Sequence, residues 1–116
     1  MKATIRFQIF EKYSGKCAYC GVSLQLSKFH VDHIISKQHY QTSHRTFDKS
    51  ANKIDNLNPS CPSCNLIKKH LSVEDFRKKV ENIPIFFFNN YHLFRAGMRF
   101  SNLTISTEKV IFYFEK

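Results

Sequence analysis

The pattern of apolar and polar positions predicts short helices alternating with short strands in the first half of the chain. Apolar residues recur every four positions from Thr4 to Tyr13, which is typical of an amphipathic helix. The stretches 22–26 and 29–35 are rich in β-branched residues or alternate in part, so we expect a brief strand in each. Residues 56–59 are the expected return strand or turn. Elements of this kind and order predict a small α+β fold.

Two helices are expected in the middle of the chain. Pro62 suits the first position of a helix, and that helix would carry residues 64–67. Ser72 with Asp75 three residues later resembles a capping box, in which two side chains satisfy free amides at the start of a helix. We therefore expect a second helix over 73–82.

The last third of the chain is apolar and aromatic, and its pattern favours strands. We expect Pro84 to end the helix before it, because proline lacks the amide proton that a helix interior needs. Residues 83–88 are strongly apolar, and residues 110–114 alternate between two sets of side chains. We therefore expect residues 78–116 to hold the end of that helix and an aromatic-rich extension of short antiparallel strands.

Length and composition favour one small domain. The chain has 116 residues, and a second hydrophobic core would not fit in that length. Hydrophobic residues make up 42% of the chain, which suffices for a core. No apolar run is long enough to span a membrane, and the first six residues lack the apolar stretch of a secretion signal. We expect a single α+β domain over 1–116 that works in the cytoplasm and away from membranes.

The charge balance points to a polyanionic partner. Lys and Arg number 18 against 9 Asp and Glu, which gives a formal charge of +9. A small domain with this excess has the electrostatic footprint of a nucleic-acid-binding protein. A basic surface that is merely solvated is the alternative that charge alone leaves open.

The four cysteines fall in two pairs with the spacing of a metal site. Each pair, Cys17 with Cys20 and Cys61 with Cys64, encloses two residues, so one tight turn aims both sulfurs at one tetrahedral ion. Gly21 follows the first pair, where such a turn often needs a positive φ. Two disulfides would fit a secreted chain, and a redox-active pair would account for one pair only. The pattern favours one structural zinc, which would add folding free energy to a small core.

The segment from His30 to Ile34 carries residue types that hydrolytic chemistry needs. Asp32 offers a hard oxygen ligand for Mg²⁺, and His33 beside it is an imidazole, a group that exchanges protons near neutral pH. In a strand, His30 and Asp32 share one face and His33 lies on the other. One group can hold an ion while the other takes a proton from water. Taken alone, an Asp-His pair is better explained as part of an ordinary strand surface.

A polar, basic connection separates this segment from the next motif. Residues 36–55 show no periodicity, and so long a connection in a small domain is usually functional. Lys37 and Arg45 lie in it and are candidates for contacts with the phosphates of a nucleic acid. Lys68 and Lys69, after the second pair of cysteines, are candidates for the same role.

Four separated motifs, in this order, resemble the zinc-knuckle branch of the HNH endonucleases. They read Cys17-x-x-Cys20-Gly21, Val31-Asp32-His33-Ile34, Asp55-Asn56-Leu57 and Cys61-x-x-Cys64-Asn65-x-x-Lys68. The resemblance covers about residues 10–77. It implies a fold built on a ββα-metal core, the active-site unit of these nucleases.

The resemblance implies a role for each matching residue. His33 would be the general base that deprotonates the attacking water, and Asn56 would tie down the loop between the two strands and hold that base in place. Asp32 and Asn65 would bind one catalytic Mg²⁺ or Mn²⁺, with His30 as a further candidate ligand. The ligands of the structural zinc would be Cys17, Cys20, Cys61 and Cys64.

The expected activity is hydrolysis of DNA, by nicking or by cutting double-stranded DNA, to leave 5′-phosphate and 3′-hydroxyl ends. Double-strand cutting by so small a chain would favour a homodimer. One alternative is a zinc-stabilised nucleic-acid-binding module without catalysis. The other is an RNA-cutting member or a subunit of a larger nuclease assembly. The expected setting is a phage, a mobile (homing) element or a restriction system.

Overall fold

The computed structural model describes residues 1–36 and 52–116 of the chain. These residues form two compact units, a first unit of Met1–Val73 with Ile111–Lys116 and a second unit of Glu74–Val110. The fold class is α+β, as predicted, and in the described part short helices accompany one two-stranded antiparallel sheet. None of the described helices is long and apolar enough to cross a membrane.

Helix α1 (Ala3–Glu11) lies where the apolar spacing predicted a helix. Ile9 on this helix is fully buried and packs with Phe29 and Leu57 in the core of the first unit. Beyond the helix, Gly15 takes a positive φ of 76°, and its amide donates to a backbone carbonyl of the last helical turn at 3.0 Å. Glycine adopts this conformation without a steric penalty, so the sequence itself ends the helix here.

Strands β1 (His30–His33) and β2 (Leu57–Ser60) pair antiparallel and form the sheet of the first unit. β1 lies within the stretch 29–35 that predicted a strand and is shorter than it. β2 has four residues, as does the stretch 56–59 that predicted a return strand or turn, and it is displaced from that stretch by one residue. The expected strand at 22–26 is reduced to a single bridge between Lys16 and Ser23. The sheet therefore consists of the two strands that carry or adjoin the motif residues.

Helix α2 (Pro62–Lys68) follows β2 directly and begins, as predicted, with Pro62 in its first turn. Cys61 caps this helix, because its sulfur accepts a hydrogen bond from the amide of Cys64 at 3.3 Å. The elements β1, β2 and α2 thus follow one another as strand, strand and helix. The second pair of cysteines lies at the turn into the helix.

The second unit is helical. Helix α3 (Val73–Glu81) matches the helix predicted over 73–82, and two shorter helices follow, α4 (Ile83–Asn90) and α5 (His92–Arg99). Within this unit the returning chain is fastened to α3, because the side chain of Arg77 donates to the carbonyl of Val110 at 2.6 Å.

The predicted β extension is wrong: the structure describes all of residues 78–116 and contains no strand there. An unbroken apolar run such as 83–88 has no period of its own, so it fits a helix or a strand equally. Pro84 does not end α3 but lies in the first turn of α4, where its missing amide is not needed. At the end of the chain, the amides of Tyr113 and Phe114 donate at 2.9 and 2.8 Å to carbonyls near the first cysteine pair, so they do not pair in a ladder.

Candidate active site

The four cysteines meet in the first unit. Their sulfurs all lie within 4.8 Å of one another, and the Sγ atoms of Cys20 and Cys61 are 3.7 Å apart. Zinc–sulfur bonds of about 2.3 Å in a tetrahedron would separate the sulfurs by about 3.8 Å. All four cysteines are among the described residues, and none forms a disulfide. The cluster therefore fits a structural zinc site, and the two-disulfide alternative does not hold.

Backbone geometry aims these sulfurs at one another. Gly21 takes the positive φ, 78°, that the sequence predicted, and its amide donates to the carbonyl of Cys17 at 3.0 Å. The amide of Cys61 donates to the sulfur of Cys17 at 3.4 Å. A hydrogen bond from Cys64 lowers the pKa of Cys17 to about 4. This shift favours the thiolate form of Cys17, which is the form of cysteine that binds a metal.

Asp32 lies on β1 with its carboxylate inside the first unit, 4% exposed. The hydroxyl of Tyr19 donates a hydrogen bond to Oδ2, and Nζ of Lys68 lies 3.2 Å from Oδ2 and 3.3 Å from Oδ1. Burial raises the pKa of Asp32, while the hydrogen bond from Tyr19 and the charge of Lys68 lower it. Burial also raises the pKa of Tyr19, so its hydroxyl stays protonated and acts as the donor.

Lys68 does not reach a phosphate, because its side chain is fully buried. Besides Asp32, its ammonium contacts the carbonyls of His33 at 3.1 Å and Ile34 at 3.5 Å. Lys68 follows Cys64 by one helical turn and shares the inward face of α2. The prediction that Lys68 contacts nucleic acid is therefore wrong, since its charge is used inside the protein at the end of β1.

His33, the predicted general base, is half-buried at the end of β1. Its Nε2 lies 2.8 Å from Oδ1 of Asn52. Because an amide oxygen only accepts, this contact makes Nε2 the protonated nitrogen of the neutral ring and leaves Nδ1 as the acceptor. Sequence reasoning did not single out Asn52, which lies in the connection without periodicity, and no pattern there points to it.

Asn56 clamps the backbone that follows His33. Its Oδ1 accepts from the amide of Ile35 at 2.9 Å, and its Nδ2 donates to the carbonyl of the same residue at 3.0 Å. The backbone carbonyl of Asn56 accepts from the amide of Ile34 at 2.9 Å. Through these contacts Asn56 ties down the start of the loop between the two strands. Its effect on the catalytic role of His33 stays a prediction.

One cavity of about 480 Å³ brings three of the predicted site residues together. Asp32, His33 and Asn65 all line it. Lys69 and His70, both exposed, line it as well, so basic side chains surround the carboxylate. The sequence had predicted Lys69 as a phosphate contact, and this position leaves that prediction open.

The remaining predicted residues lie elsewhere. His30 is exposed at the start of β1 and is absent from the described lining of this cavity, so the structure does not bring this candidate ligand to the site. Lys37 and Arg45 fall outside the residues that the structure describes.

The lining of the cavity fits a divalent cation. Mg²⁺ and Mn²⁺ prefer oxygen ligands, and such sites often use one or two protein ligands together with several waters. Asp32 and Asn65 both line this cavity, and each is a residue type with a side-chain oxygen. Its volume of about 480 Å³ also leaves room for waters, each of which fills about 30 Å³ in the liquid.

The comparisons with known proteins bear on this region. A family model described as HNH endonuclease matches residues 17–71. No curated protein matches the chain. The matched residues include all four cysteines, both strands and α2, together with the three motif residues that line the cavity. Residues 17–71 therefore match the HNH endonuclease family, and the four cysteines are consistent with the zinc-knuckle branch of that family.

Proposed function

We propose that this chain is a metal-dependent endonuclease that hydrolyses phosphodiester bonds in DNA. The observation that supports this most strongly is the meeting of Asp32, His33 and Asn65 in one cavity. The HNH domain makes nuclease activity the first expectation. A module that only binds nucleic acid needs no carboxylate, imidazole and amide around a common space.

His33 acts as the general base in this proposal. Nδ1 accepts a proton from a water molecule that attacks the phosphorus, while Asn52 holds the ring through Nε2. Asn56 fixes the backbone after His33 and so limits where the ring lies. Attack breaks the bond to the 3′ oxygen and leaves 5′-phosphate and 3′-hydroxyl ends.

Asp32 and Asn65 hold one Mg²⁺ or Mn²⁺ in this proposal. When bound, such a cation neutralises charge that develops on the phosphate during hydrolysis. Asp32 lies in a nearly water-free position, where electrostatic interactions are stronger than in bulk water. The protein therefore provides a carboxylate at a defined place in the cavity, held there beside the ammonium of Lys68.

The distribution of charge supports double-stranded DNA as the substrate. In residues 1–73 and 111–116, 12 Lys and Arg accompany 5 Asp and Glu, whereas residues 74–110 hold 6 and 4. The part of the chain with the HNH domain thus carries most of the positive charge that a duplex would neutralise. Lys69 lines the cavity, and we propose that it contacts a phosphate, with Lys37 and Arg45 making further contacts.

Plasmid cleavage tests this proposal. Supercoiled plasmid should be nicked or linearised by the zinc-loaded protein when Mg²⁺ or Mn²⁺ is present and should stay intact when both are omitted. Omission is preferable to a chelator, which would also remove zinc. Asn65→Ala is expected to lower the cleavage rate by about 100-fold, because losing a ligand affects a metal site at least as much as losing an outer partner.

The matched control is Asn102→Ala, which removes an exposed asparagine from the second unit and should cleave like the wild type. Salt-sensitive DNA binding without cleavage by folded protein would overturn the proposal in favour of a binding module. Cleavage of RNA but not of DNA would show that the substrate is RNA and would overturn the proposed DNA substrate.

We also propose that the second unit pairs two copies of the chain. Its nine large apolar side chains with 39–79% exposure include five aromatic ones. The aromatic residues alone expose on the order of 500 Å². With the four aliphatic ones the total approaches the roughly 800 Å² that one partner buries in a standard interface. Helix α4 has no buried residue at all, and the nearly balanced charge of this unit favours a protein surface over DNA.

Light scattering after size-exclusion chromatography tests the pairing. The wild type is expected at twice 13.7 kDa, and Phe86→Glu on α4 should shift it to the monomer mass. Phe7→Glu is the matched control, because Phe7 is 50% exposed on α1 and lies in the first unit. A monomeric wild type at about 100 µM, far above the dissociation constants of stable complexes, would refute the dimer.

Four unoxidised cysteines fit a compartment that keeps thiols reduced, and we propose the cytoplasm. A restriction system, a mobile (homing) element or a phage is the setting that we propose for such a nuclease. Each of these settings supplies foreign or competing DNA as a substrate.

A further inference from the structure

We propose that the hydroxyl of Tyr19 and the ammonium of Lys68 form a positioning clamp that aims the carboxylate of Asp32 at its cation and links this site to the zinc site. Neither residue is assigned a part in the activity by the family motifs that carry the proposed function. The clamp rests on that function, because it concerns the proposed metal ligand Asp32.

Tyr19 connects the two sites directly. It lies between Cys17 and Cys20 in the sequence, and its side chain is 3% exposed. Its hydroxyl donates to Oδ2 of Asp32. The position of the Tyr19 backbone is therefore set by the turn that brings two cysteine sulfurs into the cluster, and its hydroxyl transmits that position to the carboxylate.

The end of the chain fixes the ring of Tyr19. Phe112 and Phe114 pack edge-on against it, with ring centroids 5.4 and 6.0 Å away. The carbonyl of Tyr19 accepts a hydrogen bond from the amide of Tyr113 at 2.9 Å. A ring that is packed on these sides has little rotational freedom, so its hydroxyl stays at one position relative to the carboxylate of Asp32.

Lys68 holds the carboxylate from α2. Its ammonium lies within 3.3 Å of both oxygens of Asp32 and also donates to the carbonyl of His33 at 3.1 Å. A buried charge is unfavourable unless it is paired and hydrogen-bonded, and these contacts satisfy both partners. The same ammonium thus ties the proposed ligand and the backbone of the proposed base into one arrangement.

The clamp leaves the carboxylate able to bind a cation. An ionised carboxylate has about four acceptor positions, and the clamp does not use all of them. Asp32 still lines the cavity despite its burial. Outer partners of this kind orient a metal ligand, and removing one typically lowers metal affinity or activity by about 10–100-fold.

The test is Mn²⁺ binding to the zinc-loaded protein, followed by electron paramagnetic resonance. Binding that disappears in Asn65→Ala, which keeps the Asp32–Lys68 ion pair, defines the signal of this site. Tyr19→Phe removes only the hydroxyl and keeps the ring that packs on Phe112, so we expect normal zinc content and a cooperative melting transition. Its Mn²⁺ dissociation constant should rise by about 10-fold or more.

The matched control is Tyr13→Phe, which removes a hydroxyl from a half-buried tyrosine of the same unit that lies outside the cavity lining described above. Its dissociation constant should equal that of the wild type. An unchanged constant in Tyr19→Phe would overturn the clamp, as would Mn²⁺ binding that persists unchanged in Asn65→Ala. Lys68→Met would leave Asp32 buried without its counter-charge and is expected to unfold the protein, so the tyrosine carries the test.

This measurement separates the clamp from the proposed function. A wild type whose Mn²⁺ binding is lost in Asn65→Ala and weakened in Tyr19→Phe, but which cuts no nucleic acid, would refute the nuclease proposal and leave the clamp standing. A wild type that cuts DNA while Tyr19→Phe binds Mn²⁺ normally would refute the clamp alone.

Discussion

Replacing His33 with alanine is expected to lower the rate of DNA cleavage by at least about 100-fold, the lower end of what a general base contributes. The imidazole lines the cavity with Asp32 and Asn65, and its Nε2 is held by Asn52 at 2.8 Å. Alanine removes the imidazole that takes the proton of the attacking water in the proposed mechanism. The measurement is the initial rate of nicking of supercoiled plasmid in Mg²⁺ and in Mn²⁺.

His30→Ala is the control for this substitution, since His30 lies on the same strand and is exposed at its start. Its cleavage rate should lie within about threefold of the wild-type rate, because substitutions of exposed residues usually have small effects. Both variants should retain their zinc and melt like the wild type, because His33 makes no contact with the cysteine cluster in the described contacts. A rate above one-tenth of the wild type in His33→Ala would assign the proton transfer to another group.

The sequence predicted the framework of the site because its signals are local. The period of α1, the proline at the start of α2 and the two cysteine turns each depend on neighbouring residues. The motif resemblance then supplied what local patterns cannot, namely that residues far apart in the chain face a common space. Asp32, His33 and Asn65 do line one cavity.

The contacts that support the site could not be predicted from the sequence, because they join side chains that are far apart along the chain. Tyr19 reads as an ordinary residue of a cysteine turn, and only the packing of β1 against that turn places Asp32 in its reach. Lys68 reads as a basic residue near a nucleic acid, whereas its helical position one turn after Cys64 turns it inward. No sequence pattern pointed to Asn52 as a partner of His33.

The error in the last third of the chain has a different physical origin. Residues 83–88 lack polar positions, so neither a helical nor a strand period is visible, and alternation at 110–114 is too short to decide. The terminal residues adopt the structure that tertiary contacts impose, since Phe112 and Phe114 pack on Tyr19. Short apolar runs therefore follow their surroundings more than their own propensity.

Loss of zinc is expected to unfold the first unit. Among its described residues, the cluster formed by Ile9, Phe29 and Leu57 is a small hydrophobic core. Structural zinc sites contribute about 10–16 kcal/mol of apparent binding free energy in small zinc-finger peptides. Whole domains are stable by only about 5–15 kcal/mol, so removal of the metal can exceed the stability of the fold. Cys64→Ser should therefore abolish the cooperative melting transition or lower Tm by at least about 15 °C, which corresponds to a few kcal/mol.

Circular dichroism during heating, together with zinc determination, measures this effect. We expect one zinc per wild-type chain, less than one in Cys64→Ser, and a normal value in Ser63→Ala, which changes the exposed neighbour on the same helix. Cleavage should be lost together with the metal, because the turn that holds Cys17 and Cys20 also carries Tyr19, the partner of Asp32. A chain that melts and cleaves normally without zinc would show that the cysteine cluster is not what holds the catalytic carboxylate in place.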